Sequence, residues 1–232
     1  MRVAIGLINM TNNNSIEEMR RLLQVRLQEW RLCEGQPQYR PKPVVAITEE
    51  PGCGGESVAE RLCAELGFHL YSWELVEQIA RDADVSTQLV STLEAHPRSE
   101  LEDWLAELEG DFNLSTQAYL KSLKKVLFAI AVHGNAVIVG RGSNFFLPPE
   151  RKIGLCLTAP LDLRIKNTMK ELGVSEKEAR KHISRLEGEH RRLVKKYFQA
   201  DIRDSTHYHL VVNTAVVKPE TIVQIVKIMV QT

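Results

Sequence analysis

The chain predicts an α/β domain: a parallel sheet with helices on both faces. Three features carry that expectation. Short apolar runs rich in β-branched residues recur five times, stretches with helical periodicity alternate with them, and one strand-to-helix junction is rich in glycine.

The elements follow in order. Between Ser15 and Cys33, Ile16, Met19, Leu22, Leu23, Leu27 and Trp30 recur at helical spacing behind Ser15 as N-cap, which predicts an amphipathic helix. Cys33 to Pro43 is proline-rich and poor in apolar residues, so the boundary falls near Pro41, giving an N-terminal helix and linker over 1–40 and the main domain over 41–232. Val44–Thr48 reads as a strand, Pro51-Gly52-Cys53-Gly54-Gly55 as a turn, and Val58–Leu66 as a helix. Phe68–Tyr71 is a second strand and Trp73–Ala80 a helix. Ser86–Gly110 is helical and acidic, with Ser99 and Glu102 matching a capping box. Ser115–His133 predicts a long helix ending at Gly134, and Ala136–Val139 an apolar strand of the kind buried on both faces. Ile153–Leu157, Leu161–Leu172, Leu210–Asn213 and Pro219–Val230 then alternate strand, helix, strand, helix.

Composition narrows the function classes. With 232 residues and 44% hydrophobic content the chain can bury a full core, so disorder is excluded. Thirty basic residues against thirty acidic ones leave no net field to draw the molecule onto nucleic acid or an anionic membrane. No apolar stretch reaches the roughly 20 residues that span a bilayer, and Met1–Met10 lacks the form of a secretory signal, so the expected address is cytoplasmic. The four cysteines show no CxxC spacing and read as reduced thiols. His207 and His209 stand at ligand spacing, but no third ligand is apparent.

The glycine-rich turn is the first place to look for chemistry. A strand that feeds a helix through such a turn aims backbone N–H groups and the positive end of the helix dipole at one point, which suits a phosphate. Gly52, Cys53, Gly54, Gly55, Glu56 and Ser57 are the candidate phosphate-binding residues, with Ser57 as the hydroxyl for Mg²⁺. Against the GxxxxGK[ST] pattern, Gly55 and Ser57 are kept, while Glu50 replaces the first Gly and Glu56 replaces the Lys. Cys53, at the helix start, is expected to have a lowered thiol pKa. A second landmark is Gly140-Arg141-Gly142 after Ala136–Val139. It falls at the carboxyl end of a strand, where ligands bind in open α/β sheets, so Arg141 should face the turn unless a structural ion pair claims it.

Taken together, the chain resembles the cytidylate kinase family, and more closely its divergent branch, the cytidylate kinase-like proteins. The likeness runs from about Val44 to Val230. It rests on Ala46–Gly55, Ala59-Glu60-Arg61-Leu62 with Leu66-Gly67, Val137–Gly142, Leu157-Thr158-Ala159-Pro160 with Leu163-Arg164, and Tyr208–Thr214. The resemblance implies a P-loop nucleoside monophosphate kinase fold with an acceptor-side helical region over 82–134 and a basic helical lid over 175–205. It further implies ATP and Mg²⁺, a nucleotide substrate, acceptor binding by Ser72, Arg141 and Asp201, and transition-state cations from Arg141, Arg185 and Arg191. The departures concern activity. Glu56 stands where the family carries a cation, Gly142 where kinases carry Asp, and Glu187 with His190 where the lid carries Asp and Arg.

Glu176 to Asp204 holds nine Lys or Arg against six Asp or Glu, and Arg191, Arg192, Lys195 and Lys196 share one helix face, so replacement cations are at hand. Two functions therefore stay open: ATP-dependent phosphoryl transfer to a nucleoside monophosphate, or a degenerate kinase fold that binds a nucleotide or anion without turnover. In the second, the N-terminal helix would serve a homodimer or a protein partner. A nucleic-acid-binding role is disfavoured by the charge balance and by the acidic run from Glu94 to Glu109.

Overall fold

A computed structural model of the chain describes residues 21, 24–30, 32, 41–93, 95–106, 114–140 and 142–231. Five strands form one parallel sheet: β1 Val44–Glu49, β2 His69–Ser72, β3 Ala136–Val139, β4 Lys152–Thr158 and β5 Leu210–Asn213. Their spatial order is β2-β3-β1-β4-β5. β1 is central, with Ala46 opposite Ile138 on one side and Gly154 on the other. Because the sheet is parallel, the carboxyl ends of all five strands gather on one edge. Glu49, Ser72, Thr158 and Asn213 end their strands there, and because the connections that follow the neighbouring strands β1 and β4 run to opposite sides of the sheet, a crevice opens at that edge.

The chain divides into two compact units, residues 42–73 with 134–232 and residues 1–41 with 74–133. In the sheet unit, α1 (Gly55–Leu66) and α9 (Pro219–Gln231) cover one face. Val58, Leu62, Ile222 and Val226 pack with Val45, Ile47 and Leu155 in a core that excludes water. The same unit contains α6 (Ser143–Phe146), α7 (Leu161–Leu172) and α8 (Glu176–Phe198). α8 opens with a full capping box, in which the Ser175 hydroxyl and the Glu178 carboxylate satisfy each other's backbone N–H groups.

The helical unit contains α3 (Ala83–Ser91), α4 (Ala95–Ala106) and α5 (Leu114–His133), with most of α2 (Trp73–Arg81). α5 buries Leu120, Leu123, Leu127 and Ile130. Its Lys124 is buried, and Nζ donates to the Trp104 carbonyl at 3.2 Å and lies 4.4 Å from the Trp104 ring centre. Of the N-terminal helix, residues 24–30 are described and helical. Its Leu27 and Trp30 are buried, and Trp30 stacks on His133 with ring centres 3.9 Å apart. Burial pushes the His133 imidazole down to about 4, so it is neutral at physiological pH, and its Nε2 lies 2.7 Å from the Thr92 hydroxyl.

Three local expectations are corrected. α1 starts at Gly55, three residues before the apolar periodicity begins. The segment expected as one acidic helix from Ser86 is two helices, the first capped by Asp82, whose carboxylate accepts from the N–H groups of Asp84 and Val85. Ser99 therefore lies inside α4 and caps nothing, because the helix already begins at Ala95.

Candidate active site

The turn between β1 and α1 is held from two sides. Asn167 Nδ2 donates to the Gly52 carbonyl at 2.9 Å from α7, and the Thr214 hydroxyl donates to the Cys53 carbonyl at 2.7 Å from beyond β5. Cys53 N–H closes the turn onto the Glu50 carbonyl at 3.0 Å. The N–H at the start of α1, which should meet a phosphate, already has a partner. Gly55 N–H donates to Glu49 Oε2 at 2.9 Å. A Cβ at position 55 would overlap that oxygen and come within 2.8 Å of Glu49 Cδ, so the missing side chain of Gly55 makes room for the carboxylate.

Glu49 is half-buried, and burial pushes its carboxyl up to about 7 against the hydrogen bonds from Cys53 and Gly55. The Cys53 expectation reverses. The thiol is buried between Glu49 Oε2 at 3.5 Å and the Leu157 carbonyl at 3.6 Å, and desolvation followed by the Glu49 charge drives its pKa strongly upward. Glu56 is half-buried, its carboxyl raised by burial first and then by Glu171 and Glu60. Arg61, further along α1, pairs with Glu220 at 2.9 Å. Ser57 is exposed on the first turn of α1.

Beside the turn lies a cavity of about 350 Å³, walled by the ends of β1 and β4 on one side and by α7, α8 and the segment after α8 on the other. Its centre is an ion-pair network absent from the sequence reading. Arg164, only 6% exposed, donates from Nε to the Ala159 carbonyl at 2.9 Å. The same Nε lies 3.5 Å from Glu50 Oε2, and Nη1 reaches Glu187 Oε1 at 2.6 Å. Glu50 also accepts from the Thr158 hydroxyl and from Ala159 N–H. Every charge here is paired, as its burial demands.

The other sequence-derived candidates scatter around this cavity. Arg191 lines it and donates to the Glu187 carbonyl at 3.3 Å; His190 and Arg203 line it as well. Asp201 is held by Arg203, through the backbone N–H at 3.0 Å and the guanidinium at 3.3 and 3.4 Å, and those bonds lower its carboxyl pKa. Arg185 pairs with Glu189 at 2.8 Å on the exposed face of α8 and is not part of the cavity wall. Ser72 ends β2 opposite Val139. Arg141 lies outside the described residues. Its neighbour Gly142 has a φ of 74°, and a Cβ there would come within 2.7 Å of the Val194 side chain on α8, so the position that is Asp in kinases is here a close backbone contact. His209 accepts from Gly154 N–H at 2.9 Å, and His207 packs edge-on to Phe145. Among the described residues no three side chains of metal-ligating type come together.

A triphosphate with Mg²⁺ does not fit this turn with Glu49 ionised. The Gly55 N–H it would need is bonded to a carboxylate, and Glu56 stands where a cation would. One unit charge at about 5 Å and an effective dielectric near 20 is worth roughly 3 kcal/mol, so each carboxylate acts strongly against phosphate.

Comparison with known proteins decides the kinship. A profile of the cytidylate kinase-like family matches residues 44–216. The chain belongs to that family. Among its relatives, a cytidylate kinase from Ignicoccus hospitalis is 28% identical over 185 residues, covering 79% of this chain and 96% of the relative. A cytidylate kinase from Sulfolobus acidocaldarius is 26% identical, covering 78% and 91%. A solved structure of an uncharacterized protein from Eubacterium ventriosum ATCC 27560 superposes with a TM-score of 0.56 at 21% identity, covering 82% of this chain and 99% of that one, and shares the fold. The cytidylate kinase-like family is one of nucleotide phosphotransfer, and the expected α/β sheet with its helical cover is the fold observed. No described helix is long and apolar enough to cross a membrane.

Within this family fold, sequence reasoning overlooked Glu49 and Arg164. Both lie inside the motifs that carry the resemblance, but neither has a periodicity or spacing that marks it. Glu49 reads as the polar end of a strand, and Arg164 as one more cation on a mixed helix.

Proposed function

We propose that this chain is a nucleotide- or anion-binding member of the cytidylate kinase-like family in which the donor turn has been turned against phosphoryl transfer. The observation that carries this reading is the hydrogen bond from Gly55 N–H to Glu49, with Glu56 beside it. Phosphoryl transfer depends almost wholly on positioning and on cations around the transferring group. Here the turn offers carboxylates, and Arg164, the most buried guanidinium of the cavity, is neutralised by Glu50 and Glu187. The crevice still offers Arg191, and Arg203 with its Asp201 partner, to the anionic part of a nucleotide.

A second reading, ATP- and Mg²⁺-dependent transfer to a nucleoside monophosphate of the cytidylate kind, is favoured by the kinase relatives and by those same lid-side arginines. One experiment separates the two. Thermal unfolding is followed with CMP, AMP, CTP and ATP, each with and without Mg²⁺, alongside a coupled assay for ADP. The expected result is stabilisation by at least one nucleotide, worth about 2.7 kcal/mol at 100 times its Kd, with no ADP release above the acceptor-free blank. ADP release that rises with a nucleoside monophosphate establishes the second reading instead.

A further inference from the structure

We infer that α8 is a strap fastened at both ends, and that the cavity beneath it opens where the middle of this helix, around Gly188, comes away from Arg164. The inference concerns access to the cavity and stands whatever the cavity binds. The N-terminal end of α8 is fixed by a small core of its own, in which Ala179 and Ile183 pack against Ile165 and Met169 of α7, with Val174 from the turn between the two helices. α7 is in turn tied to the β1–α1 turn by Asn167 on the Gly52 carbonyl.

The C-terminal end is fixed by a second, separate contact. Val194 is fully buried, and a Cβ on Gly142 would come within 2.7 Å of it, so the backbone just ahead of α6 lies directly against α8 there. One turn further on, the Phe198 ring meets those of Phe146 and Phe145, with centres 4.6 and 5.8 Å apart. A helix packed at both ends cannot swing about either one without breaking the other.

Between these anchors no residue from 184 to 193 is fully buried. This section, roughly three turns long, crosses the cavity and lines it with Glu187, His190 and Arg191. Glu187 is held by the 2.6 Å bond from Arg164 Nη1. Gly188 follows at once, and a glycine inside a helix weakens it, because glycine loses the most backbone freedom on folding and packs no side chain. The fastening and the weak point are therefore adjacent, which is the arrangement of an element that opens locally rather than as one piece. On opening, Arg164 keeps the Ala159 carbonyl and Glu50 as partners, so the release of Glu187 strands no bare guanidinium.

The test is amide hydrogen exchange on the full chain, read by mass spectrometry over residues 180–183, 186–193 and 195–198. The middle section is expected to exchange at least about tenfold faster than either end, the reverse of a helix that frays from its termini. Glu187→Ala removes the fastening while supplying a better helix former, so propensity alone predicts slower exchange. The expected result is exchange about tenfold faster in 186–193 with both ends unchanged. Arg185→Gln, which breaks the exposed pair with Glu189 on the same stretch, shifts it less than about twofold. Gly188→Ala slows it about fivefold, since the added Cβ would meet the Arg192 guanidinium, the far end of a flexible side chain, at 3.2 Å. Alkylation of Cys156, which lines the same cavity, by N-ethylmaleimide slows severalfold in Gly188→Ala, while that of Cys63 on α1 does not change. Exchange that is slowest in the middle, a middle section slowed or unmoved by Glu187→Ala, or equal acceleration of all three sections in that variant each overturns the inference. So does an effect of Arg185→Gln as large as that of Glu187→Ala, or a Cys156 rate that ignores Gly188→Ala. Should Glu187→Ala fail to fold, the profile of the unmodified chain with that of Gly188→Ala still decides the matter.

Discussion

On the β1 side of the crevice, Glu49 and Glu50 put two carboxylates into the wall, with Glu56 outside it on α1. On the α7–α8 side, Arg164, Arg191 and Arg203 put three guanidinium groups opposite them. The two walls dispose of their charge differently. The acidic wall uses one carboxylate, Glu49, to cap its own helix and another, Glu50, to anchor an arginine. The basic wall gives Arg164 to two carboxylates and Arg203 to Asp201. The comparison teaches that a count of cations overstates the positive field a ligand would meet, because much of it is neutralised within the protein.

The comparison can be broken most sharply at Arg164. Arg164→Ala leaves Glu50 and Glu187 half-buried without their partner, and a broken buried pair of this sort costs about 3 kcal/mol, read by urea unfolding near neutral pH. Adding Glu50→Gln and Glu187→Gln to that variant should recover part of the loss. A change below about 1 kcal/mol in the single variant, the range of an exposed pair, would show that the network is solvated.

Glu49 supplies the next test. Its folded pKa of about 7 lies above the ordinary value of 4.5, so the folded state holds the proton more tightly. Stability is then greatest below about 4.5 and falls as pH rises toward 7. The fall attributable to Glu49 is up to about 3 kcal/mol, and in Glu49→Gln it should be missing when unfolding is compared at the two ends of that range. Glu56→Lys sharpens the comparison from the ligand side. Replacing an anion by a cation beside the turn should raise ATP affinity about tenfold after allowance for solvent screening, and an unchanged affinity by calorimetry would argue that the phosphates do not lie there. The smallest effect is expected at Arg185. Its exposed pair with Glu189 on one helix face predicts a stability change within about 0.5 kcal/mol for Arg185→Ala.

How much of this was legible in the sequence depends on whether the signal is local. The five strands were readable because buried parallel strands are short apolar runs, and Val44–Glu49 and Ala136–Val139 are that and little else. The turn was readable because three of its four residues from Gly52 to Gly55 are glycine. The placement of its charges was not. Nothing within a few residues of Glu49 says that its carboxylate curls back onto Gly55, and the bond between Arg164 and Glu187 joins residues on two different helices. The thiol of Cys53 was misjudged for the same reason. The helix dipole was counted, but the carboxylate already answering it was not. The Ser99 capping box shows the converse error, since the motif matched while the helix had already begun upstream; the box that forms, Ser175 with Glu178, lies at the start of α8.

The fit between Gly55 and Glu49 also bears on how glycine-rich loops are recognised in other chains. A pattern search scores a glycine at this place as a vacancy left for a guest, yet here the absent methyl group accommodates a resident side chain. Any Cβ added there would have to evict the host's own acid, so the same letter in the alphabet would be retained whether or not a guest ever arrives.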